Sequence, residues 1–288
     1  MADIYRTSLA VLRHSPWPTV GIVAISLTII AALGVLARMP LVHEARWTPG
    51  ADRDVRQVLV TLGFYPAGTM LVTLVWMMVS VGATAIGSVA AYRYLAGERT
   101  SLRSAWARAR PRFVAALGLG ALDVVVVLAP ILIAGAAAIA LAVRTGPETA
   151  RVTTTVLLVL AAGAVLAVLP ALVIAGPMLV IEGLRPVDAL WRALSLQRHD
   201  YWRLLARVIC TYVILVTAAS IVGLPFTIAS MATRPEGDLA MQSLPSLVFG
   251  NIGWVLGQIV IMPFLIVTNA QFYADQVARS RLAEPAAG

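Results

Sequence analysis

The side chains that could bind a ligand or move a proton are few in this sequence, and the most unusual of them is Asp123. It is the eleventh residue of an apolar run that begins at residue 113. An acid at the centre of a membrane span costs roughly 2.5–3.5 kcal/mol, so we expect it to face protein or water rather than lipid. Two interpretations follow: a relay for protons or cations, or a structural pair with Arg112 or Arg207. The isolation of this acid favours the structural pair.

Three polar residues of the last apolar run share one helical face, because steps of 7 and 18 residues nearly close whole turns. They are Asn251, Gln258 and Asn269. Together with the acid above they form a candidate intramembrane polar site that could line a cavity. Interhelical hydrogen bonds, worth about 0.6 kcal/mol each, are the open alternative. Gly253 and Gly257, four residues apart, predict a close helix contact on a neighbouring face.

Catalytic chemistry has little support in the sequence. A metal-dependent phosphodiesterase needs carboxylates and histidines around one metal, but His14, His43 and His199 are scattered. The sequence contains no phosphate-binding loop, nucleophile elbow or His-Glu-x-x-His motif. The single cysteine, Cys210, excludes an intramolecular disulfide and a cysteine-based metal site. The sequence therefore predicts no cofactor and no metal, and it favours a non-enzymatic protein.

Composition places the chain in a membrane. Hydrophobic residues make up 60% of the sequence and charged residues 12%, with a mean hydropathy of +0.86, which lies outside the range of soluble proteins. The net charge of +8 comes from arginines that cluster between the apolar runs. That arrangement fits an anionic membrane surface better than nucleic acid. The predicted fold is an all-α, polytopic membrane bundle.

Six transmembrane helices and a single membrane domain, 1–288, account for the apolar runs. The predicted spans are residues 19–37, 66–90, 113–143, 152–181, 204–231 and 247–273, with a polar tail at 276–288. The segment 1–18 is expected to form a weakly amphipathic elbow helix with Tyr5, Leu9 and Leu12 on one face. A short surface helix is expected at 55–65.

The arginines also predict orientation. Fifteen of the 22 lie on the side that holds both termini, so the N- and C-termini are expected in the cytoplasm. Exclusive use of arginine, with abundant Ala, Val and Leu, indicates a GC-rich bacterial source and hence a bacterial plasma membrane.

Two arginine-rich segments, 92–112 and 182–207, are each predicted to contain a short cytoplasmic elbow helix. The first has Ser101 as N-cap, and the second has Pro186 near its start. In the second helix one predicted apolar face consists of Val187, Leu190, Trp191 and Leu194. The candidate elbow and lipid-facing residues are Arg103, Trp106, Arg108, Arg110, Glu182, Trp191, Arg192 and Trp202. These arginines either follow the positive-inside rule alone or bind lipid headgroups or a cytoplasmic partner.

The elbows also suggest an internal repeat. Ser101 and Trp106 have the same spacing as Pro186 and Trp191, which is consistent with a repeated unit of one elbow and two spans. Glu182, at the end of a predicted span, is expected to pair with an arginine of the second elbow, either Arg185 or Arg192.

The stretch IEGLRPVDALWRAL from Ile181, followed by Tyr201-Trp202-Arg203, resembles a known group of proteins. These are the actinobacterial membrane proteins grouped with the membrane domain of glycerophosphoryl diester phosphodiesterase. In that group a glutamate ends a span, an arginine-containing helix follows, and an aromatic-Trp-Arg triplet enters the next span. Ala193 departs from the pattern, since serine is common there, and the tail lacks the usual dense run of Arg and Glu. The resemblance implies the membrane fold without a catalytic domain.

Three functional hypotheses remain at this point. The leading one is a non-enzymatic plasma-membrane protein that organises anionic lipid or an unidentified membrane or cytoplasmic protein. The alternative is a small transporter for a lipid-like or cationic solute that uses Asp123 and the polar face of the last span. A membrane enzyme acting on phospholipid is the least favoured.

Overall fold

The computed structural model describes residues 2–14, 20–44, 55–98, 101–145, 147–198, 200–234 and 243–283. Within these ranges the chain forms nine α-helices and contains no strand. The helices are α1 Ala2–His14, α2 Ile22–Glu44, α3 Val55–Leu95, α4 Leu102–Ala109, α5 Phe113–Thr145, α6 Pro147–Glu182, α7 Pro186–Gln197, α8 Tyr201–Ala232 and α9 Leu244–Ala283. A 3₁₀ turn, Arg110–Arg112, joins α4 to α5.

Five stretches of the described chain are long and apolar enough to cross a membrane. They are Val75–Leu95, Leu102–Ala138, Val152–Glu182, Tyr201–Ala232 and Leu244–Ser280. The predicted first span, 19–37, corresponds to α2, whose apolar stretch Val23–Leu36 is shorter. The prediction of an all-helical chain with several membrane-length helices is confirmed.

Several predicted boundaries are wrong because helices run on beyond the apolar runs. The expected surface helix at 55–65 is continuous with the next span in the single 41-residue helix α3. Pro66 lies within this helix, and membrane helices tolerate proline where neighbouring groups satisfy the freed carbonyl. Likewise α2 continues to Glu44, and α9 takes in most of the predicted tail as far as Ala283. Residues 15–19, 45–54 and 284–288, on which parts of these predictions fall, lie outside the described residues.

Helix α1 packs into the bundle with only part of the predicted face. The hydroxyl of Tyr5 lies 3.2 Å from that of Thr211, and Leu12 packs against the buried cluster around Val11. Leu9 is 49% exposed, whereas Ser8 and Val11 are fully buried. The hydroxyl of Ser8 lies 3.3 Å from that of Thr268 in α9. A buried hydroxyl needs a hydrogen-bond partner, and this pairing fixes the orientation that α1 adopts.

The main core lies where α6 meets α3, α5, α7, α8 and α9, and α4 joins it through α3. Its largest fully buried side chains are Ile174, Met178 and Leu179 of α6, Leu204 of α8 and Phe272 of α9. Because α6 is buried here on several sides, it forms the centre against which α7 and α9 pack.

Glycines bring the antiparallel pair α8 and α9 into close contact. A Cβ atom added to Gly253 would lie 2.9 Å from Cβ of Phe226 and 3.3 Å from the carbonyl oxygen of Gly223. A Cβ atom on Gly257 would lie 3.4 Å from that of Ala219. The predicted close contact through Gly253 and Gly257 is therefore confirmed, and backbone proximity explains why small residues occupy these positions.

We expect Gly253→Ala to lower the melting temperature of the purified protein in detergent, because the methyl group would overlap an atom close to the backbone of α8. Overpacking of this kind costs about 1–3 kcal/mol. Gly163→Ala in α6 is the matched control, since a Cβ atom there would meet nothing within 4 Å. Equal melting temperatures for the two variants would show that α8 and α9 do not pack as closely as described.

Candidate functional site

Two glycines create the turns that lead into the short helices. Gly97, after α3, has φ +81°, and Gly183, after α6, has φ +74°. The N–H of Gly183 donates to the carbonyl of Leu179 at 3.0 Å, which closes the last turn of α6. This left-handed conformation favours glycine because a side chain would crowd the following carbonyl.

The short helices α4 and α7 bury small residues and expose large ones. Their fully buried or nearly buried positions are Ala105, Ala109, Ala189 and Ala193. By contrast, Trp106 is 42% exposed and Trp191 is 66% exposed. The predicted apolar face of α7 is therefore only half correct: Leu190 and Leu194 pack against the core, while Val187 and Trp191 are exposed. Close approach of α4 to α3 and of α7 to α6 leaves room only for small residues at these inner positions.

The repeat between the two short helices has a different register from the predicted one. The N-caps are Ser101 for α4 and Arg185 for α7, with Pro186 at the first helical position. In both helices the two buried alanines lie four and eight residues after the cap. The alignment of Ser101 with Pro186 is thus wrong by one residue, because proline belongs inside the first turn rather than at the cap.

Glu182 connects α6 to both α7 and α9. Its Oε2 atom lies 3.0 Å from Nε of Arg192, and its Oε1 atom accepts a 2.8 Å hydrogen bond from the hydroxyl of Tyr273. Of the two partners predicted for this carboxylate, Arg192 is the one that the structure pairs with it. The contacts hold α7 against the end of α6.

The first residue of α8, beside the end of α7, satisfies a carbonyl that a proline leaves free in α6. Pro170 has no N–H to donate to the carbonyl of Leu166, four residues earlier. The hydroxyl of Tyr201 donates to that carbonyl at 3.0 Å. Nearby, the side-chain amide of Gln197 donates to the carbonyl of Ala167 at 3.5 Å. Helix α7 therefore runs back along α6 and stabilises its proline-containing turn.

The arginines of α4 and of the adjoining turn differ from Arg192 in their pairing. Arg103, Arg108 and Arg110 are exposed, and none of them forms an ion pair with a carboxylate of the described chain. Exposed Trp106 lies among them in the sequence. This outer face of α4 is thus positively charged and partly aromatic.

A cleft of about 330 Å³ lies among α3, α5, α6, α8 and α9. Most of its lining is apolar, and its polar members are Ser80, Thr84, Asp123, Tyr212 and Asn269. The structure thus brings together two of the four residues of the predicted intramembrane polar site, Asp123 and Asn269. Sequence reasoning did not identify Ser80, Thr84 or Tyr212, because each lies singly in an ordinary apolar run.

Asn251 and Gln258 do not line this cleft. The side-chain amide of Asn251 donates to the carbonyl of Leu247 in its own helix at 2.8 Å. A shared helical face does not imply a shared cavity, because 18 residues of α-helix extend about 27 Å. Of the three α9 residues that could have lined a cavity with Asp123, only Asn269 lines this cleft.

Neither predicted partner of Asp123 pairs with it. Arg207 instead contacts Asp275, with Nη1 and Oδ2 2.5 Å apart. The guanidinium of Arg112 lies against Gly183, where an added Cβ atom would be 2.6 Å from Nη2. The Oδ1 atom of Asp123 is buried and has no hydrogen-bond partner within the described residues. The favoured pair with Arg112 or Arg207 is therefore not formed within the described residues: Arg207 is engaged by Asp275, and Arg112 lies beside Gly183.

A second charged cluster joins the start of α8 to the end of α9. Asp275 contacts both Arg207 and Arg279, and Arg279 Nη1 lies 3.4 Å from Oδ2 of Asp200. Sequence reasoning did not identify this cluster, although the spacing of Asp275 and Arg279 is that of a helical ion pair. Groups of three or more metal-ligating side chains were found nowhere in the described ranges.

Family models, curated proteins and solved structures were all compared with the chain, and none matches it.

We expect Asp123→Leu to leave the melting temperature in detergent unchanged or to raise it, because no hydrogen bond to Oδ1 is lost. Asp275→Leu is the matched comparison at another acid. It should destabilise the protein by about 1–3 kcal/mol, since it leaves Arg207, whose side chain is 13% exposed, without its partner. A clear loss of stability in Asp123→Leu would restore the structural role of this carboxylate.

Proposed function

We propose that this chain is a non-enzymatic, multi-pass protein of a bacterial plasma membrane that binds anionic lipid headgroups along the outer face of α4. The supporting observation is the set of three exposed arginines, Arg103, Arg108 and Arg110, that have no carboxylate partner in the described chain. Phosphate groups of anionic lipid would supply the missing negative charge, at about 1 kcal/mol for each arginine near the surface.

The exposed tryptophans support the same assignment. Trp106 is on α4, Trp191 is on α7, and Trp202, which is 78% exposed, is at the start of α8. Tryptophan is enriched where hydrocarbon meets headgroups, because its ring is apolar and its N–H donates a hydrogen bond. These three side chains would hold the short helices at that boundary, beside the arginines.

The proposed topology has six spans, with α2 as the first and with both termini in the cytoplasm. It rests on the 15 of 22 arginines that fall on one side of such an arrangement. The short helices α4 and α7 then lie on the cytoplasmic side, where anionic lipids are abundant. The resemblance of the segment around Glu182 to the glycerophosphoryl diester phosphodiesterase membrane-domain group supports the same general fold.

Replacing Arg103, Arg108 and Arg110 together by Gln should weaken binding of phosphatidylglycerol to the purified protein by about 100-fold. Three contacts at about 1 kcal/mol each correspond to roughly that factor. Binding is measured by native mass spectrometry during titration with this lipid, and phosphatidylcholine is the neutral reference.

The control is Arg192→Gln, which removes one positive charge from α7. Because Arg192 pairs with Glu182, this variant should change lipid binding less than threefold, roughly the effect of a weak exposed charge. If the triple variant binds phosphatidylglycerol as tightly as the parent protein, the arginines serve orientation alone and the proposal fails.

The proposed topology predicts which introduced cysteines a membrane-impermeant thiol reagent will label in intact cells. In a Cys210→Ala background, Thr149→Cys should react, because residue 149 lies in the first turn of α6, at the end that the proposed topology puts outside the cytoplasm. Ser104→Cys, on α4, should react only after the membrane is permeabilised. Labelling of Ser104→Cys in intact cells would reverse the proposed orientation.

A further inference from the structure

The cleft around Asp123 has a feature that the lipid-surface function does not use. Oδ1 of this carboxylate is buried without a hydrogen bond to the described chain. Leaving such an oxygen unsatisfied costs about 1–3 kcal/mol, and native structures rarely retain the cost without a reason. Asp123 forms no ion pair within the described helices either, so its carboxylate has no neutralising partner there.

The lining identifies the sign of the charge that the cleft would accept. Asp123 is its one carboxylate among the described residues, and no arginine or histidine lines it. The remaining polar groups are the hydroxyls of Ser80, Thr84 and Tyr212 and the amide of Asn269. One hydroxyl is already committed, since Thr84 Oγ1 donates to the carbonyl of Ser80 at 2.8 Å. An anion would be repelled here, whereas a cation would gain a buried counter-charge.

The size and composition of the cleft favour an organic cation over a metal ion. Hard metal ions require six or more oxygen ligands at about 2–2.6 Å, and a single carboxylate with one amide and a few hydroxyls does not supply them. The volume of about 330 Å³ lies at the lower end of the range for small-molecule pockets, about 300–1,000 Å³. Such pockets combine an apolar lining with a few polar groups, as this cleft does.

The rim of the cleft is apolar and open to the outside of the bundle. Tyr212, which lines the cleft, is 37% exposed. The residues next to the lining on the outer helical surfaces, Val124, Val125 and Val213, are exposed as well. Asp123 lies about 15 Å along α5 from Phe113 at 1.5 Å per residue, which is half of a hydrocarbon core of about 30 Å. A molecule reaching this rim would come from the lipid.

We propose that this cleft binds a membrane-soluble amphiphile through a cationic amine head, with Asp123 as the counter-charge and Asn269 as a neighbouring hydrogen-bond group. The apolar tail extends along the α6 residues that line the cleft, or outward past Tyr212 into the lipid. This site is distinct from the arginines of α4 and does not depend on their function.

The test uses the purified full chain in phosphatidylcholine nanodiscs and a photoreactive C12 primary amine. A probe of the same chain length that ends in a hydroxyl group is the neutral comparison. The amine should label α5, α6 or α8 at saturable sites, and its half-saturating concentration should rise at least about tenfold in Asp123→Asn. Glu98→Gln removes the same charge from an exposed ion pair and should leave labelling unchanged.

A second variant blocks the cleft without removing the charge. Gly176 lines it, and an added Cβ atom there would make only an ordinary contact, 3.9 Å from Thr84 Cγ2. Gly176→Leu should therefore fold and should reduce amine labelling by a similar factor. Equal labelling by amine and alcohol, or unchanged labelling in both the Asp123→Asn and Gly176→Leu variants, would overturn the proposal.

Competition distinguishes the two sources of an amine head. Displacement of the probe by phosphatidylethanolamine would assign the site to a two-chain membrane lipid, whereas displacement by single-chain amines alone would assign it to a lipid-soluble solute. Either result supports an amine site. If neither competitor displaces the probe, the cleft is not an amine-binding site.

Discussion

The structure depends on one constraint: polar groups among tightly packed apolar helices must find partners within the protein. Helix α6 shows how this is met. Pro170 leaves the carbonyl of Leu166 without its usual donor, and the hydroxyl of Tyr201 supplies one. At the end of the same helix, Glu182 contacts Arg192 and Tyr273. The position of α7 along α6 follows from these contacts as much as from its apolar side.

Small residues make these contacts reachable. Alanines at equivalent positions of α4 and α7 are buried, so both short helices approach the central core closely. Glycines play the same part between α8 and α9, where backbone atoms of Gly223 and Gly253 come within contact distance. Large side chains at these positions would separate the helices and break the polar contacts that close approach allows. Packing and polar satisfaction are therefore coupled in this fold.

Both functional proposals rest on charged groups that lack a partner within the described chain. The arginines of α4 have no carboxylate partner in the described chain, and they lie on an exposed face beside Trp106. Asp123 lacks a partner for Oδ1 inside a cleft. The arginines of α4 suit a negatively charged group from outside the protein, and Asp123 suits a positively charged one. Under the two proposals, the protein would bind lipid headgroups at its surface and a lipid-soluble amine in its interior.

The sequence by itself determined the class of the protein and the position of most helices, because long apolar runs and arginine-rich connections leave few alternatives. It also identified Asp123 as exceptional and Gly253 as a close-contact position, since both signals are local. The tertiary structure decided which groups meet. Arg207 pairs with Asp275, 68 residues away, rather than with Asp123, and Asn269 reaches the cleft while Asn251, on the same helical face, does not. Helical periodicity predicts the direction in which a side chain leaves its helix. The residues that it meets depend on where neighbouring helices cross that helix, and only the packing of the whole chain determines those crossing points.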